Sequence, residues 1–265
     1  MSTYIDVLRY RELFVNLFQR ELRAKYKSSI LGVAWSLANP IVLMGVYVLV
    51  FSQLWRVTDI DHYPLYLLAG LAVWIFFSTS LESAARSMVD SAELIKKVRF
   101  PRQLVAFSVV ATQLVTFTVM LAALIVVNLI VLPRTRDTIW LAIPLSAVVV
   151  ALVAGVALAV ASANVIFRDV EHLIRAILLP WFFLTPIIYR LEQLPGSLHR
   201  YHALAQVLRY VNFVTPPVYA VRDPLFFGRL PRAVDVGYLC AAAVVALALG
   251  AWVFSRVDDR IAVEL

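Results

Sequence analysis

Long uncharged stretches alternate with short charged ones along this chain. Five runs without a charged side chain reach or nearly reach the roughly 20 residues that a membrane-crossing helix needs; they cover 30–55, 64–81, 104–132, 139–165 and 236–254. A sixth run, 176–189, contains Pro180 and Pro186 and reaches spanning length if it starts near His172. The pattern predicts an all-α membrane protein with six transmembrane helices, at 30–55, 64–85, 104–132, 139–165, 172–190 and 234–255.

The segment 1–29 differs from these runs because it is charged and amphipathic. Tyr10, Phe14, Leu17 and Leu22 fall near helical spacing, with arginines and glutamates on the other faces. Such a pattern favours a helix that lies in the cytoplasmic interface of the membrane. A soluble helix that packs on a partner protein is the alternative.

Basic residues predict the orientation of the spans. They concentrate in 1–29, in 86–103, in the turn after the fourth span and in the tail 256–265. By the positive-inside rule these segments, and therefore both termini, face the cytoplasm. Within the spans, small residues recur at four-residue spacing, which predicts close helix–helix contacts; they are Ala151, Gly155, Ala159 and Ala163, and Ala242, Ala246 and Gly250.

Composition narrows the class of protein further. The chain of 265 residues is 62% hydrophobic and 15% charged, which excludes a soluble globular domain. Its net charge of +7 is assigned to topology and lipid phosphates, so nucleic acid is not an expected partner. The one cysteine, Cys240, leaves neither an intrachain disulfide nor a cysteine metal site. The first apolar run starts about thirty residues in, so no signal peptide is predicted.

Several kinds of chemistry have no candidate residues here. The middle of every confident span is free of ionisable side chains, which argues against an ion-coupled carrier. The glycines are isolated, so no phosphate-binding loop for ATP is predicted. His199 and His202 fit an amphipathic helix better than a metal site, and Asp169 with Glu171 fits a charged turn better than acid–base chemistry. We therefore expect no catalytic residue, no metal and no cofactor in this chain.

Two connections between the spans carry structure of their own. In the cytoplasmic segment 86–103, Asp90 or Ser91 is placed to cap a short helix from Glu93 to Lys97. This helix suits the groove of a soluble partner, and an ordinary loop is an equally open interpretation. The outward segment 191–232 predicts an amphipathic helix at 197–213 and a second at 218–227. Too short to span, they fit a re-entrant or surface hairpin that is buried in protein or lines a cavity.

Five stretches, in this order and with six spans between them, resemble one family. They are RELRAKYKSSILGVAWSLANP (20–40), LIKKVRFPRQL (94–104), NVIFRDVEHL (164–173), FFLTPIIYRLEQLP (182–195) and VNFVTPPVYAVRDPLF (211–226). The chain resembles the permease subunit of ABC-2 type exporters, in the branch that exports polysaccharides such as O-antigen and teichoic acid. It departs from the family at Phe213–Val214, where an Asn-Pro pair is common.

The resemblance implies roles for particular residues. A second copy of the chain would complete a channel in the bacterial plasma (inner) membrane, and two copies of a separate ATPase subunit would bind ATP and Mg²⁺. The lipid diphosphate of a lipid-linked glycan would enter at Arg20, Arg23, Lys25, Tyr26 and Lys27. Coupling to the ATPase would involve Glu93, Leu94, Ile95, Lys96, Lys97 and Arg99, with Arg168 and Asp169 in a second turn. The segment 191–232 would hold the outer gate helices.

Aromatic residues are candidates to stack on sugar rings along the export route. They are Tyr47, Trp74, Phe76, Phe77, Phe117 and Tyr219. Three other functions remain open at this point: ABC-2 export of a drug or small lipid, an enzyme of envelope-lipid synthesis, and an ion-driven carrier. The identity of the glycan is not encoded in any pattern of the chain.

Overall fold

The computed structural model describes residues 9–27, 32, 35–50, 60–98, 100–191 and 209–264. Within these ranges every regular element is helical, which confirms the all-α class. We number the helices α1 Arg11–Tyr26, α2 Trp35–Tyr47, α3 Tyr63–Asp90, α4 Ala92–Lys97, α5 Gln103–Val131, α6 Ala142–Ile166, α7 Asp169–Leu184, α8 Thr215–Arg222 and α9 Ala233–Glu264. Two 3-10 turns, Pro133–Thr135 and Ile139–Leu141, precede α6, and a π-helical turn, Asp223–Phe227, follows α8.

Four of the helices are long and apolar enough to cross a membrane. They cover Tyr63–Asp90, Gln103–Val131, Ile139–Ile166 and Ala233–Asp258, and correspond to the second, third, fourth and sixth predicted spans. Helix α3 continues about one turn beyond its predicted end, and α9 continues well into the predicted tail. The described part of the first predicted span is α2 with the turn that follows it, and α7 occupies the fifth. The total of six spans stays a prediction.

Prolines mark several helix boundaries. Pro64 lies in the first turn of α3, and Pro216 and Pro217 lie in the first turn of α8, where the missing N–H groups would have no intrahelical acceptor. Pro101 precedes α5, and Pro186 follows the end of α7 at Thr185, which is extended as residues before proline usually are. The chain therefore leaves its helical path before residue 186.

Helix α3 lies at the centre of the core and packs against α5, α6, α7 and α8. The closest pair, however, is α6 with α9. A Cβ atom added to Gly155 would lie 2.4 Å from the carbonyl carbon of Ala246, and one added to Gly250 would lie 2.4 Å from the carbonyl oxygen of Gly155. The predicted small-residue contact is confirmed at these positions, because only glycine permits such an approach of two backbones.

Candidate functional site

The end of the molecule that carries α4 is called here the inner end, and the end that carries α8 the outer end. Helix α4 confirms the short helix predicted between Glu93 and Lys97. Ile95 is buried in the core, whereas Glu93, Lys96 and Lys97 are exposed. Buried Ile95 anchors the helix to the core, and the charged side chains face outward. Arg99, the last residue of the predicted coupling set, lies outside the described residues.

Ser91 precedes α4 as predicted, but its side chain makes no capping hydrogen bond to the helix. Its hydroxyl instead accepts a hydrogen bond of 2.9 Å from Nη2 of Arg20, a residue 71 positions away in α1. The same guanidinium contacts Glu21 at 2.7 Å. Arg20 thus joins the N-terminal helix to the start of the predicted coupling helix.

A small apolar group, which we call the inner cluster, reinforces this connection. Leu17 of α1 is buried against Leu104 and Val105 at the start of α5. Leu94 of α4 packs against the same group, together with Leu13, Phe14 and Phe100. Three elements of the inner end, α1, α4 and α5, therefore share one apolar contact.

Helix α1 follows α5 over about two turns. Leu17 contacts the first residues of α5, and Lys25 donates hydrogen bonds of 2.7 Å to Gln113 Oε1 and 2.8 Å to Thr116 Oγ1. The predicted interfacial helix is thus packed lengthwise on a spanning helix. Burial beside α5 lowers the pKa of the Lys25 ammonium, and the neighbouring Tyr26 opposes this shift.

The other face of α1 borders an open groove of about 920 Å³. Its lining comprises Asn16, Gln19, Arg20, Leu22, Arg23, Ala24, Tyr26 and Lys27. Four of the five residues predicted to meet a lipid diphosphate line this groove, and Lys25 does not. Arg23 and Lys27 are exposed, and within the described part of the chain neither has a carboxylate partner. The groove is consequently cationic and accessible.

Arg168 and Asp169 occupy the turn between α6 and α7, and both are exposed. The buried side chain of Asn164 shapes this turn, because its Oδ1 accepts a 2.9 Å hydrogen bond from the backbone N–H of Glu171. This contact satisfies a free N–H in the first turn of α7. Phe167 in the same turn is 67% exposed. The turn therefore exposes one aromatic ring and two charged side chains, and the hydrogen bond from Glu171 to Asn164 stabilises its backbone.

The predicted glycan-stacking aromatics lie inside the helix bundle of a single copy. Trp74, Phe76, Phe77, Phe117 and Tyr219 are all buried. Phe76 stacks on Phe117 with ring centroids 4.8 Å apart, and Tyr47 stacks on Phe182 at 5.5 Å. In this arrangement their faces contact other side chains of the same copy, and a role in a passage stays a prediction.

At the outer end, all residues from 214 to 226 are buried. Helix α8 lies among α3, α6 and α9, and the π-helical turn packs against α3, α5 and the two 3-10 turns, as the re-entrant interpretation requires. The predicted helix at 197–213 lies mostly outside the described residues. Arg209 forms a buried ion pair with Asp235 of α9, with Nε 3.1 Å from Oδ1.

Arg222 is the residue of the outer end that the sequence analysis missed. Its side chain is fully buried at the end of α8. It donates hydrogen bonds to the hydroxyl of Tyr66 at 2.7 Å and to the carbonyl oxygens of Pro186 at 2.9 Å and Ile187 at 3.1 Å. The only signal in the sequence is a single cation within the apolar stretch VYAVRDPLF, which reads equally well as a surface helix.

Comparison with known proteins agrees with this architecture. A family model described as ABC-2 type transporter matches residues 12–226. The O-antigen export system permease protein RfbA of Myxococcus xanthus is 34% identical over 260 residues, covering 97% of this chain and 96% of that protein. A protein of the same name from Klebsiella pneumoniae is 29% identical over 253 residues, covering 95% and 94%. With its apolar helices and this match over most of its length, the chain belongs to the ABC-2 type transporter family of membrane proteins.

Proposed function

We propose that this chain is the membrane-spanning subunit of an ATP-driven exporter that moves a lipid-linked cell-envelope polysaccharide across the bacterial inner membrane. The observation that carries the proposal is the near full-length similarity to two permeases named for O-antigen export. Similarity over nearly the whole length of both chains supports a shared arrangement of spans and connections. The cationic groove along α1 gives the proposal a physical basis.

The proposed topology has six spans and both termini in the cytoplasm. Helix α2 is part of the first span, and α7 with the turn that follows it is the fifth. Two copies enclose the passage, and each copy binds one ATPase subunit, which holds ATP and Mg²⁺. The concentration of basic side chains on α1, α4 and the turn at Arg168 supports this orientation.

Coupling in this proposal runs through α4. Closure of the ATPase subunits around nucleotide displaces the exposed side of α4, at Glu93, Lys96 and Lys97. Leu94 and Ile95 carry the displacement into the inner cluster and the core. Arg168 and Asp169 form the second contact. The rigid support of both segments favours transmission of the movement over local deformation.

The groove along α1 is the proposed binding surface for the lipid diphosphate. Guanidinium groups bind phosphate oxygens in pairs through their planar fork, which suits the exposed Arg23. Arg20 also lines the groove, but its Nε and Nη2 atoms already donate to Glu21 and Ser91. Lys27 adds a flexible cation at the end of the groove. Lys25 instead holds α1 on α5, because its ammonium group already donates to Gln113 and Thr116.

Reconstituted export tests the function directly. The chain and its ATPase subunit are placed in liposomes with a lipid-linked polysaccharide, and the glycan that reaches the opposite leaflet is measured with a glycosidase. We expect transport that requires both subunits and ATP. Transport of small amphiphiles but not of the glycan would assign the chain to drug or small-lipid export. Turnover of a lipid by the chain alone would indicate an enzyme, and transport driven by an ion gradient without ATP would indicate a secondary carrier.

The coupling role has its own variant. Lys96→Glu with Lys97→Glu reverses two exposed charges on α4, so we expect ATP-driven export to be lost while the chain stays folded. Arg9→Glu with Arg11→Glu is the matched control, because it reverses two exposed charges near the start of α1. Unchanged export by the Lys96/Lys97 variant would contradict the assignment of α4.

A further inference from the structure

The unwound end of α7 presents a row of backbone carbonyls at 186–189, which we call the carbonyl row. Arg222 donates to the carbonyl oxygens of Pro186 and Ile187. The hydroxyl groups of Tyr63 and Tyr66 donate to those of Ile188 and Tyr189, each at 2.9 Å. Four consecutive carbonyls thus receive side-chain hydrogen bonds. Irregular backbone within a membrane requires such donors, because lipid supplies none.

The guanidinium of Arg222 fits a space formed by α3. Its Cζ atom lies 4.0 Å above the ring centroid of Tyr66, whose hydroxyl accepts one of its hydrogen bonds. A Cβ atom on Gly70 would lie 1.9 Å from Nη2 of Arg222, so any larger residue at position 70 would displace the guanidinium. Glycine at this position of α3 is therefore explained by the side chain of another helix.

Arg222 also differs from the other buried arginine of the outer end. Arg209 pairs with Asp235, whereas no carboxylate contacts Arg222 within the described residues. Its charge is stabilised by carbonyl dipoles, a phenol oxygen and an aromatic face. Removal of the guanidinium would leave two carbonyls without donors around a polar cavity, and such a cavity recruits water.

We propose that Arg222 is a positioning residue that seals the outer end of the helix bundle in the resting state. It joins α8, α3 and the carbonyl row into one dry block. The proposal rests on the proposed function, since it concerns the gate of the exporter. It assigns to the described part of the gate segment the task of excluding water, in addition to guiding the glycan.

Leakage of a small dye from liposomes tests the seal. Liposomes containing the chain and its ATPase subunit are loaded with a fluorescent dye, and release is followed without nucleotide and without glycan. For Arg222→Met we expect release to rise at least about tenfold, because the loss of even one of its three charged hydrogen bonds shifts the closed population by roughly that factor. Arg136→Met is the matched control, an exposed arginine in the connection before α6, outside the gate segment, that should leave release at the wild-type rate.

Conservative variants separate sealing from simple stability. Arg222→Lys keeps the charge but not the planar fork, so its release should lie between those of the wild type and Arg222→Met. Gly70→Ala retains every polar group and only displaces the guanidinium, and it should also leak. If Arg222→Met does not fold, dye release by Gly70→Ala tests the seal instead. Arg222 and Gly70 variants with lowered melting temperatures but wild-type dye release would overturn the proposal.

The two proposals fail in different ways. Dye release requires neither ATP nor a polysaccharide, so it reports on the seal even if the wild-type protein exports another substrate. A wild-type protein that exports no glycan, with a leaking Arg222→Met variant, would contradict the proposed substrate and retain the seal. Full glycan export by an Arg222→Met variant with wild-type dye release would retain the proposed substrate and contradict the seal.

Discussion

The inner and outer ends of the molecule hold their charges in opposite ways. At the inner end, Lys97 and Glu93 of α4 form an ion pair whose side chains are 73% and 90% exposed. At the outer end, Arg209 and Asp235 form an ion pair whose side chains are 6% and 0% exposed. Exposed pairs are weak and exchange partners readily, whereas a buried pair is costly to break. The inner end is therefore suited to bind and release a partner, and the outer end to hold one arrangement.

The largest expected effect concerns the buried pair. Asp235→Asn removes the carboxylate that compensates Arg209, so the free energy of unfolding should fall by about 3–5 kcal/mol. Unfolding in detergent, followed by thermal or denaturant titration, measures this loss. A variant as stable as the wild type would contradict the view that the Arg209–Asp235 pair stabilises the outer end.

The close contact between α6 and α9 at Gly155 and Gly250 links the two ends. A methyl group added there should cause the next largest loss in the free energy of unfolding. In Gly155→Ala the new Cβ would lie 2.4 Å from the backbone of Ala246, so the helices must separate, at a cost of about 1–3 kcal/mol. The control is Gly237→Ala in α9, where no atom lies within 4 Å of the added Cβ. The melting temperatures of the two variants should differ clearly, and equal values would contradict the close contact.

A smaller effect is expected in the groove at the inner end. Arg23→Gln with Lys27→Gln should weaken binding of a diphosphate lipid by about 1 kcal/mol for each cation removed. Binding to liposomes with and without the lipid measures this, and high salt should reduce the wild-type affinity toward that of the variant. Arg9→Gln with Arg11→Gln, which removes two cations outside the groove, should bind as the wild type does. Equal weakening by both variants would indicate general attraction to the membrane.

The smallest expected effect concerns the exposed pair of α4. Glu93→Gln breaks an i,i+4 ion pair on the surface, so the free energy of unfolding should fall by no more than about 0.5 kcal/mol. The same titration that measures Asp235→Asn measures this change. A loss comparable to that of Asp235→Asn would remove the contrast between the two ends.

Local patterns in the sequence located the helices of the inner end but not the contacts between them. Apolar length located the four long helices, and the residues around Asp90 and Ser91 located the start of α4. The partner of Ser91 was not predictable, because Arg20 lies 71 positions away and the capping rule considers only neighbours. Helical spacing gave the apolar face of α1 but not the helix on which that face packs.

The outer end was less predictable because its contacts are distant in the sequence. Arg222 contacts Tyr66, 156 positions away, and the carbonyl row about 35 positions away. Arg222 does not belong to any predicted span, because it reaches the interior from a connection between spans. The requirement for glycine at position 70 likewise was not predictable, because it depends on the guanidinium of Arg222 that packs against this position.

Helix α9 is in contact with both ends of the molecule. Near its C-terminus Asp258 accepts a 3.0 Å hydrogen bond from Arg102, five residues after α4, and near its N-terminus Asp235 holds Arg209. The helix has 32 residues and is therefore about 48 Å long. The middle of α9 packs closely against α6 through Gly250 of α9 and Gly155 of α6. The helix is therefore held near its midpoint. A displacement of its inner end, such as the proposed ATPase subunit would cause, should thus tilt its outer end in the opposite direction, with no need for a chain of small rearrangements in between.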